Sequence, residues 1–309
     1  MKFLPDERLY CDTTYCLDFA RHIQPAANTS PNERTLFHFY WYGDFNRKTA
    51  LSLKSFLATQ NLQRVEAWLW FDAASGDQGA NFTRYMGHVR RHIAVKQYDP
   101  DSESRGTPFS GCHELLNAPE PANRSDAFRF LILHSYGGVY VDLDTLFLRD
   151  FGPLLDSDLG SEAFCYRWSA QPYANSAILR LGRGSKLSTD LIAHCRRIGS
   201  CHPARALRHA DHERADLVEF PCSFFDPLWL HFDKHERCAL APFDHFEDFF
   251  RHFGFLFKRN PGIRALADFF PGAFTYEWHN RWSAREVRSS YFGMFEQEID
   301  GLLARKFGP

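Results

Sequence analysis

The stretch GGVYVDLDTLF, from Gly137 to Phe147, sets Asp142 and Asp144 one residue apart at the end of an apolar run. Two chemistries use such a pair. In one, hard carboxylate oxygens hold a divalent cation such as Mn²⁺ or Mg²⁺ against a diphosphate. In the other, the first aspartate attacks a phosphate and the second serves as acid and base. Acidic pairs also occur on solvated turns, with no chemistry attached. Here a glycine pair and an apolar strand stand in front, and charge at the end of a buried strand needs a reason. If the strand runs on, alternate positions send both carboxylates the same way. If it breaks between them, they splay around a cation.

Other residue types join the pair. Asp126 and Arg129, in SDAFRFLILHSY (125–136), lie one helical turn apart and share a face. That spacing suits a ligand clamp and equally an ordinary ion pair. Asp72 ends the run RVEAWLWFD (64–72), where it could meet a ligand or cap a turn. The stretches HCRRIGSCH (194–202) and HFDKHERC (231–238) carry zinc-type residues without the usual paired ligand spacing. LGRGSK lacks the G-x-x-x-x-G-K-[ST] pattern of a phosphate loop.

The elements that position these residues follow from periodicity. Strands are expected at 35–43, 64–72, 93–99, 139–144, 162–168, 175–181 and 273–279. Helices are expected at 47–60, at 125–136 with Asn123 or Ser125 as N-cap, at 185–198, and at 283–307. The last of these opens on an apparent Ser283/Glu286 capping box. SGDQGANFTRYMGHVRRH reads as irregular, as does 24–34. The Phe- and His-rich segment 200–272 reads as a helical and irregular lobe. Alternating strands and helices predict an α/β fold around a mostly parallel sheet, with ligands beyond the carboxyl ends of its strands. Asp72, Asp142 and Asp144 all fall at such ends.

The chain has 309 residues, 44% of them hydrophobic and 24% charged, enough for a large core. We expect one domain over 1–309, with a donor-side core at 35–199, an acceptor-side lobe at 200–272, and a closing strand and helix at 273–309. A formal charge of −2 gives no reason to expect nucleic acid or anionic lipid as the main partner. The 31 Phe, 12 Tyr and 7 Trp fit both a core and platforms that stack on sugars or bases. No apolar run reaches membrane-spanning length, and the start lacks a secretory h-region, so a cytoplasmic location with at most peripheral membrane contact is expected. The eight scattered cysteines read as thiols. The sequons at Asn28, Asn81 and Asn123 are of the number expected by chance.

The segment SDAFRFLILHSYGGVYVDLDTLFLRDF (125–151) resembles the DXD-containing sugar transferases. That group includes α-1,4-galactosyl- and N-acetylglucosaminyltransferases, initiating mannosyltransferases, bacterial polysaccharide transferases and, more distantly, clostridial glucosylating toxins. The shared pattern is S-D with an Arg three residues on, an apolar helix, Y-G-G-hydrophobic-Y, then D-x-D. LFHFYWYG, ANSAILRLGRGSKL and TYEWHNRWSA are similar to further elements of the group, extending the resemblance over about 35–199 and 273–284.

The resemblance implies a GT-A fold, a nucleotide-sugar donor (a UDP-sugar foremost, from the toxin-like HFYWYG), Mn²⁺ or Mg²⁺, and transfer with retention of configuration. It implies Asp144 as metal ligand, with Asp142 on the ribose or donor sugar and reaching the metal through water. Asp126 would accept sugar hydroxyls and Arg129 would bind the donor, with Tyr140 in the same pattern. Trp41 would stack on the base, with His38 beside it; the alternatives are a core Trp and a structural His. Asp72 could bind base or ribose. Asn175 would face a sugar, His279 would complete the metal shell or touch the diphosphate, and Trp282 would cover the leaving group. Glu277 and Asn280 are spare candidates. The acceptor would be a glycan, glycolipid or protein. Two rivals remain: a haloacid-dehalogenase-type phosphatase with Asp142 as nucleophile, and a sugar-binding protein without turnover. The phosphatase motif normally opens its domain and needs a downstream lysine, whereas about 140 residues precede the pair here.

Overall fold

The computed structural model describes residues 2–24, 34–156, 162–168, 171–212, 216–232, 241–255 and 262–308. Its strands are β1 (Lys2–Phe3), β2 (Thr35–Trp41), β3 (Val65–Asp72), β4 (Ile93–Tyr98), β5 (Gly138–Val141), β6 (Thr145–Phe147), β7 (Phe164–Arg167), β8 (Ala174–Leu181), β9 (Val218–Phe220) and β10 (Thr275–Glu277). Its longer helices are α1 (Thr13–His22), α2 (Arg47–Thr59), α3 (Gly79–Met86), α4 (Pro121–Tyr136), α5 (Lys186–Ile198) and α6 (Tyr291–Phe307).

Eight strands form one sheet in the order β1-β9-β7-β8-β5-β2-β3-β4. Only β8 runs against its neighbours; the other pairings are parallel. The fold is therefore α/β with a mostly parallel sheet, as expected. Alternation sorts the strand residues into two layers. Phe37, Phe39, Leu69, Val139 and Val141 enter one core with Leu53, Phe56 and Phe295 of α2 and α6. Tyr40, Trp70 and Tyr140 enter the other, with Phe128 and Ile192 of α4 and α5.

The carboxyl ends of β2, β5 and β7 open on one edge, and the connection after β5 does the decisive work there. The strand stops at Val141, short of the expected 144. The chain turns at Asp142 and restarts as β6, which pairs antiparallel with β10 in a separate two-stranded sheet. The glycine pair before β5 is steric. A Cβ on Gly138, at φ +100°, would lie 2.3 Å from the Leu36 carbonyl oxygen. Only glycine lets β5 approach β2 this closely.

Several boundaries differ from expectation. Helix α4 begins at Pro121 in the N1 position, ahead of Asn123 and Ser125, because proline is preorganised there. Ser125 is occupied instead with the Arg129 guanidinium, 3.1 Å away. The stretch read as irregular holds α3, whose Phe82 and Met86 bury one turn apart. Helix α6 starts at Tyr291, capped by Ser290, and not at the Ser283/Glu286 box. Glu286 pairs with Arg47 at 3.3 Å, and Lys48 takes the carbonyls of Arg281, Trp282 and Ala284. The segment 200–272 contributes β9 to the central sheet between β1 and β7, and the N-terminal β1 and α1 were not expected. Most of 24–34, with Asn28, and the stretch 233–240, with Cys238, lie outside the described residues.

Candidate active site

A cleft of about 540 Å³ opens at the carboxyl edge of the sheet, within the usual range for a small-molecule site. Asp126, Arg129, Tyr140, Asp142, Asp144, Asn175, Trp41, His279 and Trp282 all line it. The topology explains the convergence. Trp41 ends β2, the aspartates follow β5, Asn175 opens β8, and Asp126 and Arg129 face the edge from α4.

Arg129 is the hub. It is 4% exposed. Its Nη2 lies 3.0 Å from Asp126 Oδ1 and 3.3 Å from Asp142 Oδ1. Its Nη1 donates to Ser176 Oγ at 2.7 Å, and its Cζ sits 4.6 Å from the Tyr140 ring centre. The Tyr140 hydroxyl donates to Asp142. The Asp126–Arg129 ion pair and the cleft-facing pair are thus one arrangement. Burial pushes the Asp126 carboxyl up to about 7, against the pull of Arg129.

Asp142 and Asp144 splay at the strand break. The Asp142 N–H donates to the Ala177 carbonyl at 2.8 Å. Asp144 turns toward β10: Trp278 donates its N–H to the Asp144 carbonyl, and Asn280 donates its N–H to Asp144 Oδ2 at 2.7 Å. The register of β6 against β10 pairs Thr145 with Glu277, so Glu277 arrives beside Asp144. Ligand oxygens of Asp142, Asp144 and Glu277 all lie within 4.8 Å of one another. Burial first, and Asp142 second, push Asp144 up to about 6. Burial and the neighbouring carboxylates hold Glu277 well above its ordinary value.

Glu277 Oε1 is buried with no hydrogen-bond partner. Three crowded carboxylates with an unsatisfied buried oxygen suit a hard divalent cation, which would relieve both costs. The residues present therefore fit a metal, with an all-oxygen donor set.

His279 belongs to a second group, with Asp226 and Glu277. Its Nε2 is 2.8 Å from Asp226 Oδ2 and 3.6 Å from Glu277 Oε2. Burial disfavours the charged ring, but the adjacent Asp226 outweighs it and raises the His279 pKa. Phe246 and Trp229 crowd the imidazole, at 4.2 and 4.8 Å between ring centres. Both His279 and Asn280 hold positive φ, 48° and 55°. Such backbone strain in non-glycine residues gathers at functional sites.

Trp41 and Trp282 meet with ring centres 4.8 Å apart, and the Trp282 Nε1 donates to Asn280 Oδ1. The Asn175 side chain is tied locally, its Oδ1 accepting from the Ala177 N–H at 2.8 Å.

Two of the sequence-predicted residues are not among those lining the cleft. His38 is fully buried on the opposite strand face to Trp41. Its Nε2–H donates to the Gly137 carbonyl and its Nδ1 accepts from Trp70 Nε1. Asp72 turns inward at the end of β3, accepting from Tyr40, from the Ala74 N–H and from Arg124. Asp226, which no local sequence pattern marks, and Trp168, which lines the cleft after β7, are further residues of the site. Glu277, a spare candidate by sequence, stands at the centre of the carboxylate group.

The zinc-type stretch at 194–202 forms no three-ligand group among the described residues, and none of the seven described cysteines forms a disulfide. Among the described residues no lysine lines the cleft, whereas the rival phosphatase reading calls for one.

A family model described as the glycosyltransferase sugar-binding region containing the DXD motif matches residues 50–163. None of the curated proteins matches the sequence significantly. Among solved structures, an active-site variant of LgtC is similar over 86% of this chain and 95% of its own, with 14% identity and a TM-score of 0.50. The apo form of the glycosyltransferase GlyE from Streptococcus pneumoniae TIGR4 is similar over 89% of this chain, at 12% identity and a TM-score of 0.51. This chain spans 64% of the length of GlyE. At these identities the likeness is one of fold. The family-model match over the region that holds both aspartates makes the chain similar to the DXD-motif glycosyltransferases, and this α/β architecture gives it the GT-A fold.

Proposed function

We propose that the chain moves a sugar from a nucleoside-diphosphate donor, a UDP-sugar foremost, to a glycan, glycolipid or protein acceptor, with retention of configuration. The observation that carries this reading is the convergence of Asp142, Asp144 and Glu277 in a cleft that also holds Arg129 and Trp41. Retention and the UDP preference rest on the resemblance of the sequence motifs.

Asp142, Asp144 and Glu277 would hold Mn²⁺ or Mg²⁺, with His279 and Asp226 behind them. When bound, the ion would neutralise charge on the departing diphosphate. Arg129 is preorganised by Ser176 and Asp126, so it meets developing negative charge without reorganising. Asp126, on the same helix face, would accept donor-sugar hydroxyls. Trp41 and Trp282 offer rings for the base, and Asn175 lies at the sugar end. In the proposed step the anomeric bond to the diphosphate oxygen breaks. The acceptor hydroxyl bonds to the anomeric carbon on the same face, and its proton passes to the leaving diphosphate.

We propose a cytoplasmic location with at most peripheral membrane contact, and no nucleic-acid partner. The test of the donor reading is calorimetry of UDP and of GDP with and without Mn²⁺. Metal-dependent binding of one nucleotide supports the reading, and binding of neither contradicts it.

A further inference from the structure

We propose that Lys48 is a positioning residue for nucleotide binding, fastening the segment that carries Asn280 and Trp282 onto the first turn of α2. The inference rests on the nucleotide reading of the cleft. Lys48 is 2% exposed, and a lysine so buried needs partners. Its Nζ donates to the carbonyls of Arg281, Trp282 and Ala284 at 2.7, 2.7 and 2.6 Å. All three ammonium protons are thereby used. Three carbonyls from neighbouring residues face one point because the backbone wraps around the ammonium.

That backbone directly follows the turn that touches the carboxylates. Asn280 holds Asp144 through its N–H, and Trp282 lies against Trp41. Trp41 ends β2, and α2 begins after Asn46, which caps it through Lys48 N–H and Thr49 N–H. Lys48 therefore stands on the Trp41 side of the cleft while gripping the Trp282 side. Arg47, its neighbour, pairs with Glu286 and with Glu296 of α6 and extends the same grip. The first turn of α2 thus sets the spacing of the two indoles. Loss of the ammonium leaves three carbonyls without a donor and frees 280–284 to move.

Lys48→Met keeps an unbranched four-atom stem and removes the ammonium donors. Two readouts apply. Hydrogen exchange of the 280–284 amides should rise in the variant. The Kd for UDP with Mn²⁺ should rise roughly 10- to 100-fold, the usual cost of losing a group that orients ligand-holding residues. Lys48→Gln, which keeps two N–H donors, should fall between, and it decides the matter if Lys48→Met does not fold. Lys54→Met, on the same helix and paired with Asp300, should match wild type in both readouts.

Unchanged exchange at 280–284 would overturn the proposal. So would faster exchange with unchanged UDP affinity, which would make Lys48 structural only. If wild-type protein binds neither UDP nor GDP, the nucleotide reading itself fails, and with it the positioning role. The exchange data would then still decide whether Lys48 holds the segment.

Discussion

The backbone N–H of Asn280 donates to Oδ2 of Asp144 at 2.7 Å, across 136 residues of sequence. This bond ties the aspartate pair to the turn that supplies Glu277, His279 and Trp282. Asn280 makes it from a left-handed conformation, φ 55°, which asparagine tolerates and β-branched residues resist. We expect Asn280→Val to cost about 1–2 kcal/mol of stability and to depress activity. Asn280→Gly should cost less in stability. Urea unfolding of both variants checks the order.

Gly138 fixes where the aspartates stand. A methyl there would meet the Leu36 carbonyl at 2.3 Å with φ at +100°. Gly138→Ala should therefore lose at least about 3 kcal/mol, combining backbone strain with a forced shift in a packed sheet. Soluble yield and the urea midpoint report it.

His38 makes stability depend on pH. Burial lowers its pKa to about 4, so it stays neutral in the folded protein. Unfolded, it takes a proton near 6.5. The unfolded state therefore binds more protons between these values. Stability should be intact above pH 6.5 and fall as pH drops toward 4, by roughly 3 kcal/mol from this group. His38→Gln should lower stability at neutral pH and flatten that part of the profile, measured by urea unfolding across the range.

Much of this arrangement was legible in the sequence, and what was missed has physical causes. D-x-D, S-D-x-x-R and the glycine pair are local patterns, so Asp126, Arg129, Asp142 and Asp144 could be found together. Strands β2 to β4 announced themselves as apolar runs between turns. Glu277 became a principal carboxylate only through the register of β6 on β10, a pairing that no local pattern encodes. Asp226 stands beside His279 for the same long-range reason. His38 was drawn toward the cleft by its closeness to Trp41 in sequence, but the two differ in parity along β2 and point to opposite faces. The false helix start at Ser283 failed because Lys48 and Arg47, far away in sequence, claim the groups a first turn would have used.

The carboxylate cluster predicts opposite responses to one substitution. Glu277→Gln removes a charge that burial and its neighbours disfavour. Without metal, the variant should be as stable as wild type or more so. Mn²⁺ should raise the melting temperature of the wild type, by mass action about 2.7 kcal/mol at one hundred times Kd. That rise should shrink or vanish in Glu277→Gln. Thermal scans with and without Mn²⁺ separate the two effects.

The most direct test follows UDP or GDP release from a panel of nucleotide sugars, with Mn²⁺, with Mg²⁺ and with EDTA, for wild type and Asp144→Asn. The account predicts metal-dependent release from one donor, abolished by EDTA and reduced at least 100-fold in the folded variant, on the order of losing one transition-state contact. Release that persists in EDTA, or an Asp144→Asn variant that turns over normally, would contradict it.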